Sequence, residues 1–148
     1  MKKFLVMIAV VLGLTACGGN SNLTSVNIDD AAKALDSKLG SMSAVNEEEL
    51  ESIYQIDTSL MEEYVIKASD TANGNLYAII KVTDENKTEV KKQMANYFEI
   101  LIEQNALYSP EAVNLLKNCL ETSIGNYLIY ISSEDNQASY NIVKEYTE

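Results

Sequence analysis

Several segments of the chain place apolar residues three and four positions apart, which is the spacing of helices that bury one face. The first segment follows Asn27, a residue suited to capping a helix, and stops before Gly40. The second follows Asn46 and carries Glu49 three residues later, which is a capping-box arrangement. The remaining predicted helices begin near Asp84 or Thr88, at Ser109-Pro110 and at Ser133.

Residues 63–68 and 76–82 have the composition of strands, and the residues between them favour a hairpin. Asn73-Gly74 would suit a two-residue turn. That turn would mix polar and apolar side chains, because a shift of one residue moves every side chain to the other face. We therefore expect an odd-length loop at residues 70–74. This loop gathers Tyr64, Ile66, Ala68, Leu76, Ala78, Ile80 and Val82 on one face and turns Lys67, Tyr77 and Lys81 to the other.

In a second predicted hairpin, the turn and the apolar pattern agree. A two-residue turn at Gly125-Asn126 pairs Ile124 with Tyr127. One face would then comprise Leu120, Thr122, Ile124, Tyr127, Ile129 and Ile131. The other would comprise Glu121, Ser123, Leu128, Tyr130 and Ser132.

The element order α-α-β-β-α-α-β-β-α predicts an α+β fold in a single domain at residues 28–148. We expect an antiparallel sheet of four strands, formed by the two hairpins and covered by helices on one face. The uncovered face would carry Tyr77, Ile79, Leu128 and Tyr130, which form the candidate binding surface. The alternative is that another helix, such as the one predicted after Asn27, covers this face.

The first 16 residues are predicted to be a secretory signal peptide. Lys2 and Lys3 give it a positively charged start. The apolar run at residues 4–14 is too short to span a bilayer, which takes about 20 residues. We therefore expect the segment to be cleaved rather than retained as a membrane helix.

The apolar run ends in Leu14-Thr15-Ala16-Cys17, which resembles the lipobox of bacterial lipoproteins. The resemblance implies a diacylglycerol on the sulfur of Cys17 and cleavage between Ala16 and Cys17. Two acyl chains suffice for stable anchoring, so we expect the mature protein on the extracytoplasmic face of the cell membrane. The small, polar residues 17–27 would form a flexible tether.

The net charge is −11, from 11 lysines and 22 acidic residues, with no arginine. Loss of Lys2 and Lys3 with the signal would lower it to −13. A domain this acidic repels phosphate backbones, so we expect no nucleic-acid partner. It also repels anionic lipid, so attachment to the membrane would depend on the lipid at Cys17.

Patterns for catalysis or metal binding are sparse. The absence of histidine excludes Ser-His-Asp catalysis and histidine-based metal sites. No phosphate loop, dinucleotide motif or calcium loop is present, so no cofactor or metal is expected. The acidic residues 47–49 fit a solvated helix start, and a weak cation site there or at residues 62–63 is the alternative. Cys119 fits a small buried hydrophobe.

Five segments in chain order match a known family: residues 50–57, 63–67 and 76–82, Tyr108-Ser109-Pro110-Glu111 and Gly125-Asn126-Tyr127. They resemble small bacterial lipoproteins catalogued as domain of unknown function 4358. That family has a glycine where this chain has Gln55. The resemblance implies an exported lipoprotein of low-GC Gram-positive bacteria, without an assigned activity.

We therefore expect a membrane-anchored binding or interaction module rather than an enzyme. Its partner would be an envelope protein or a cell-wall ligand. A carboxylate-dependent cell-envelope hydrolase is the first alternative, because the chain is rich in acidic residues. An accessory subunit of a membrane complex is the second.

Overall fold

The computed structural model describes residues 24–148. Ala16 and Cys17, the predicted signal and most of the predicted tether lie outside this range. The described helices are α1 (Ile28–Leu39), α2 (Glu47–Ser52), α3 (Lys87–Asn105), α4 (Pro110–Lys117) and α5 (Asn136–Glu145). The described strands are β1 (Met42–Ala44), β2 (Met61–Ser69), β3 (Leu76–Val82), β4 (Leu120–Ile124) and β5 (Tyr127–Ser132). No helix within residues 24–148 combines the length and apolar character needed to cross a bilayer.

Capping residues fix most helix starts where the sequence predicts them. The side chains of Asn27, Asn46 and Ser109 each accept a hydrogen bond from a backbone N–H three residues later. The start predicted for the last helix was wrong, because Asp135 rather than Ser133 supplies the capping side chain. Four of the five described helices thus begin at a capping side chain, whereas α3 begins after Asn86 without one.

The strands form one sheet in the order β1-β2-β3-β5-β4, and all neighbours are antiparallel. The prediction of two hairpins in an antiparallel sheet is confirmed. The prediction of four strands was wrong, because β1 adds a fifth strand beside β2. Its three residues are mostly exposed, so they carry no alternating apolar pattern.

Both hairpins have the register that the apolar pattern predicts. Ala68 pairs with Leu76, so an odd-length loop joins β2 and β3 rather than a two-residue turn. Ile124 pairs with Tyr127, so β4 and β5 are joined by the predicted two-residue turn. Pairing of β3 with β5 joins the two hairpins into one sheet.

Gln55 occupies a backbone conformation that favours glycine, with φ 56°. It is the position at which the resembling family has a glycine. The turn brings the chain back on itself, since the N–H of Ile56 donates to the carbonyl of Leu50 at 2.8 Å. Both of these side chains are fully buried, so the turn returns the chain to the core.

Helices cover both faces of the sheet, which corrects the prediction of one covered face. The first face packs against α2, α3 and α4, through side chains such as Leu50, Met94 and Leu116. The second face packs against α1 and α5, through side chains such as Leu35 and Val143. Every residue of β5 and all but one of β3 are therefore buried.

The last residues of the predicted tether belong to the domain. Ser25 exchanges two backbone hydrogen bonds with Glu148, at 3.0 and 2.9 Å. Val26 forms a bridge with Thr147 and is 4% exposed. These contacts begin at Ser25, three residues before the predicted start of the domain at residue 28, because the apolar side chain of Val26 in a polar segment packs into the core of the second face.

Candidate binding surface

The predicted binding surface is not a surface. Tyr77, Ile79 and Leu128 are fully buried, and Tyr130 is 2% exposed. The four residues also lie on opposite faces, because Ile79 pairs with Ile129 while Tyr130 pairs with Ala78. Tyr77 and Ile79 lie under α1 and α5, as the stated alternative anticipated, and Leu128 and Tyr130 lie under α3 and α4.

Tyr77 takes part in a buried polar network rather than in binding. Its hydroxyl lies 2.7 Å from Asp36 Oδ1 and 3.2 Å from the carbonyl oxygen of Ala32, and its single hydrogen can donate to either acceptor. Asp36 Oδ2 accepts from Lys67 Nζ at 2.6 Å. Burial and the hydrogen bond to Asp36 raise the pKa of Tyr77 well above its ordinary value. The network fastens α1 to the sheet.

Tyr130 has the opposite character. Its hydroxyl is buried and has no hydrogen-bond partner among the described residues. Its ring stacks with Phe98 at 5.9 Å, so the side chain is held by apolar contact. Nearby Cys119 is a packed thiol, and burial raises its pKa to about 12. It is thus unsuited to nucleophilic chemistry at neutral pH.

One carboxylate in each of the two acidic runs, at residues 47–49 and 62–63, has a partner on a neighbouring side chain. The carboxylates of Glu47 and Glu51 both lie near Thr58 Oγ1, at 2.9 and 2.8 Å, and the single hydroxyl hydrogen can bond only one of them at a time. Glu62 lies 3.4 Å from Lys81 Nζ. Residues 24–148 hold no group of three side chains suited to a metal ion.

The two ends of the sheet differ in what they expose. The first described residues lie at one end of the sheet. At this end the N–H of Val82 donates to the carbonyl of Asn126 in the β4–β5 turn, and Thr24 lies against Gly125. We call this the entry end. The opposite end is formed by the β2–β3 loop, the start of α4 and the segment that leads into α5. We call it the distal end.

Three surface hollows meet at the distal end, with volumes of about 420, 290 and 190 Å³. Asn75 lines all three, and Glu134 lines the two larger ones. The two larger hollows are the amide hollow, lined by Asn73, Asn75, Pro110, Glu111, Asn114, Leu115 and Glu134, and the lysine hollow, lined by Lys38, Leu39, Asn75, Ser133, Glu134 and Asp135. Together they form the candidate binding surface that the structure supports.

Gly74 fixes the shape of this end. Its φ of 89° suits glycine, and a Cβ there would lie 2.7 Å from the Cα of Ala112 in α4. The carbonyl of Gly74 accepts a hydrogen bond from the hydroxyl of Ser132 at 2.7 Å. The β2–β3 loop, whose Asn73 and Asn75 line the amide hollow, is therefore held between α4 and the end of β5.

The α3–α4 connection exposes two large apolar side chains beside the amide hollow. Leu107 and Tyr108 are each 85% exposed. Tyr108 is two residues before Pro110, which lines the hollow, so their Cα atoms are at most about 8 Å apart. Neither residue was predicted as part of a binding surface. The available signal was that both are large and apolar but do not fit the apolar stripe of a helix.

Comparison with known proteins gives a family but no activity. A family model described as domain of unknown function (DUF4358) matches residues 33–133, which is more than half of the chain. The chain belongs to this family. The match includes the whole sheet and the amide-hollow residues other than Glu134, whereas the DUF4358 model ends before α5. Searches of curated proteins and of solved structures gave no match.

Proposed function

We propose that this DUF4358 protein is an extracytoplasmic lipoprotein, held to the membrane by lipid on Cys17, that binds a partner through its distal end. The sequence supports the anchor through the charged start, the short apolar run and the lipobox-like residues before Cys17. The structural observation that carries the proposal is the placement of the hollows at the end opposite the entering chain.

This placement puts the hollows far from the proposed point of attachment. Thr24 lies seven residues after Cys17, so the domain's entry end stays within about 25 Å of the lipidated residue. Helix α3 runs from the entry end to the distal end, and its 19 residues span about 28 Å. In the anchored protein, the distal surface is therefore the part of the domain that can reach farthest from the membrane, where envelope proteins and wall polymers are accessible.

A hydrolase has less support. Glycoside hydrolysis uses two carboxylates on either side of a bound substrate. Glu47 and Glu51, which approach the same hydroxyl, line none of the three distal hollows. Glu111 and Glu134 do line one hollow, but both are exposed to solvent, whereas a catalytic acid needs apolar surroundings. We therefore propose binding without catalysis.

Metabolic labelling with palmitate tests the anchor. We expect label on the wild-type chain, none on Cys17→Ala, and full labelling of Cys119→Ala, which removes the other cysteine. Wild-type protein that stays unlabelled, or that is found unprocessed in the cytosol, would overturn the anchored assignment.

Site-directed photocrosslinking tests the orientation. A photoreactive residue at Asn114, which lines the amide hollow, should crosslink a reproducible envelope component in intact cells. The matched control places the same photoreactive residue at the exposed position of Asp84, two residues after the end of β3 and near the entry end. Crosslinks that come equally from both positions, or only from Asp84, would contradict binding at the distal end.

A further inference from the structure

The amide hollow presents negative charge without compensation. Glu111 and Glu134 both line it, and neither has a hydrogen-bond or ion-pair partner among the described residues. Other acidic side chains do find lysines, as Asp36 does with Lys67. No basic side chain lines the amide hollow, so a cationic group would gain favourable electrostatic interaction there.

The same hollow offers amide groups. Asn73 Oδ1 accepts from the backbone N–H of Asn75 at 2.9 Å, and Asn114 Oδ1 lies 3.2 Å from Asn118 Nδ2. The two side-chain NH₂ groups have no partner among the described residues. Such groups pair with peptide carbonyls, which an extended segment presents at regular intervals.

The neighbouring surface adds apolar contact and a second charge. Leu107 and Tyr108 lie at the side of the amide hollow, and an exposed aromatic next to polar groups is typical of an interaction surface. The lysine hollow shares Asn75 and Glu134 with the amide hollow, so the two form one continuous path. Lys38 in the second hollow disfavours another cation at that position.

We propose that the distal surface binds an extended peptide segment of a partner protein, with a basic side chain seated in the amide hollow. This inference rests on the proposed binding function and names the chemistry of its partner. The net charge of the chain, −11, also favours a basic partner by long-range attraction. The hydroxyls of a neutral glycan would hydrogen-bond Glu111 and Glu134 but would gain no charge attraction from them, and a phosphorylated glycan would be repelled.

Peptide binding to the lipidated full chain in detergent micelles tests the proposal. The probes are three acetylated and amidated peptides of one length that share the same alanine and tyrosine residues. Lysine, glutamine or glutamate alternates with these residues, one type in each peptide. Binding is measured by fluorescence anisotropy. We expect the lysine peptide to bind at least tenfold more tightly than the glutamine peptide, and the glutamate peptide not to bind.

Variants locate the effect. Glu111→Gln/Glu134→Gln should weaken binding of the lysine peptide at least fivefold, and Leu107→Ser/Tyr108→Ser should weaken binding of both lysine and glutamine peptides. Glu48→Gln/Glu145→Gln removes the same charge from exposed positions that line none of the three distal hollows, and should stay within twofold of wild type.

Equal weakening by the two charge variants would show that only net charge matters and would overturn the inference. So would equal binding of the lysine and glutamine peptides. If palmitate labels Cys17 and Asn114 crosslinks an envelope component while the peptides fail to bind, the proposed function stands and the basic-peptide assignment is wrong. If labelling fails while lysine-peptide binding persists, the anchor is wrong and the surface assignment stands.

Discussion

The two faces of the sheet bury tyrosines in opposite ways. On the second face, the hydroxyl of Tyr77 reaches Asp36 and the carbonyl oxygen of Ala32. On the first face, the hydroxyl of Tyr130 has no partner among the described residues. The second face thus attaches its buried tyrosine to α1 by a hydrogen bond, whereas the buried Tyr130 of the first face depends on apolar contact alone. Burial by itself therefore does not tell how a tyrosine contributes to stability.

The first face compensates with aromatic packing. Tyr54 and Tyr97 meet edge to face with their centroids 4.6 Å apart, and Phe98 lies 5.9 Å from both Tyr97 and Tyr130. Such pairs contribute about 0.5–1.5 kcal/mol each beyond the area they bury. The chain of rings joins the turn after α2 to the middle of α3 and to β5.

The largest effects should come from truncating each core. Met94 on the first face and Leu35 on the second are both fully buried. Met94→Ala and Leu35→Ala should each lower the free energy of unfolding by about 2–5 kcal/mol, because a cavity is left in either core. Urea unfolding followed by circular dichroism measures both losses.

The double variant tests whether the two faces fold as one unit. The sheet separates the two side chains, so their losses should add within about 0.5 kcal/mol. We expect one transition in each variant. A variant in which α1 and α5 unfold in a separate, earlier step would show that the second face is an independent cover.

Central strands explain why the sequence predicted one covered face and the structure has two. β3 and β5 are apolar at nearly every position, which is typical of strands buried on both sides. Each hairpin, taken alone, has one apolar face. Pairing of Ile79 with Ile129 and of Ile80 with Leu128 turns those two faces to opposite sides. Local patterns fixed each register, but the pairing between hairpins is non-local.

The distal surface was unpredictable for a related reason. Its residues come from α1, the β2–β3 loop, α4 and the segment that leads into α5, which are far apart in the chain. Local motifs include some of them, such as Asn73 beside the turn glycine and Pro110 at a helix start, but these motifs do not indicate that the residues meet. Capping residues and turns were predictable because their partners lie within a few positions, whereas a surface assembled by topology has no signature in a single sequence.

Two glycines with similar φ values have different surroundings. Gly74 and Gly40 have φ of 89° and 92°. A Cβ at Gly74 would collide with Ala112 of α4, whereas one at Gly40, after α1, meets nothing within 4 Å. Gly40→Ala should cost about 1–2 kcal/mol from backbone strain. Gly74→Ala should cost about 1–3 kcal/mol more, because α4 must move.

Thermal unfolding measures both glycine variants, and peptide binding adds a second readout for Gly74. We expect Gly74→Ala to weaken binding of the lysine peptide even where the protein is folded, since its neighbours Asn73 and Asn75, which line the amide hollow, would shift with the loop. Gly40→Ala should leave that affinity unchanged. Equal losses of stability in the two variants would contradict the close contact between the β2–β3 loop and α4.

Alkaline pH should weaken both faces. Burial raises the pKa of Tyr77, Tyr97 and Tyr130 above the ordinary value of 10.0. The folded state therefore holds these protons more tightly than the unfolded state. Their contribution is fully present below pH 10.0 and is lost as the pH rises towards the folded-state values. Each phenol can remove up to about 1.4 kcal/mol per pH unit in that window.

Urea unfolding at neutral pH and at values above 10.0 measures this loss. Tyr77→Phe should show a shallower decline with pH than wild type, because one titrating group is removed from the second face. An unchanged slope in this variant would show that the Tyr77 phenol does not contribute to the alkaline instability.

The smallest effects should separate the two tyrosines most directly. Tyr77→Phe removes a hydroxyl with two acceptors and leaves the buried side of Asp36 without its donor, so it should lower the unfolding free energy by about 1–2 kcal/mol. Tyr130→Phe removes a buried hydroxyl without a partner, so it should be neutral or stabilise by up to about 1 kcal/mol. Differential scanning calorimetry at neutral pH measures both changes. Each variant is the control for the other, because both lose one phenolic oxygen from a central strand. A loss at Tyr130 as large as that at Tyr77 would mean that the Tyr130 hydroxyl is hydrogen-bonded in solution, and the first face would then also have a polar attachment.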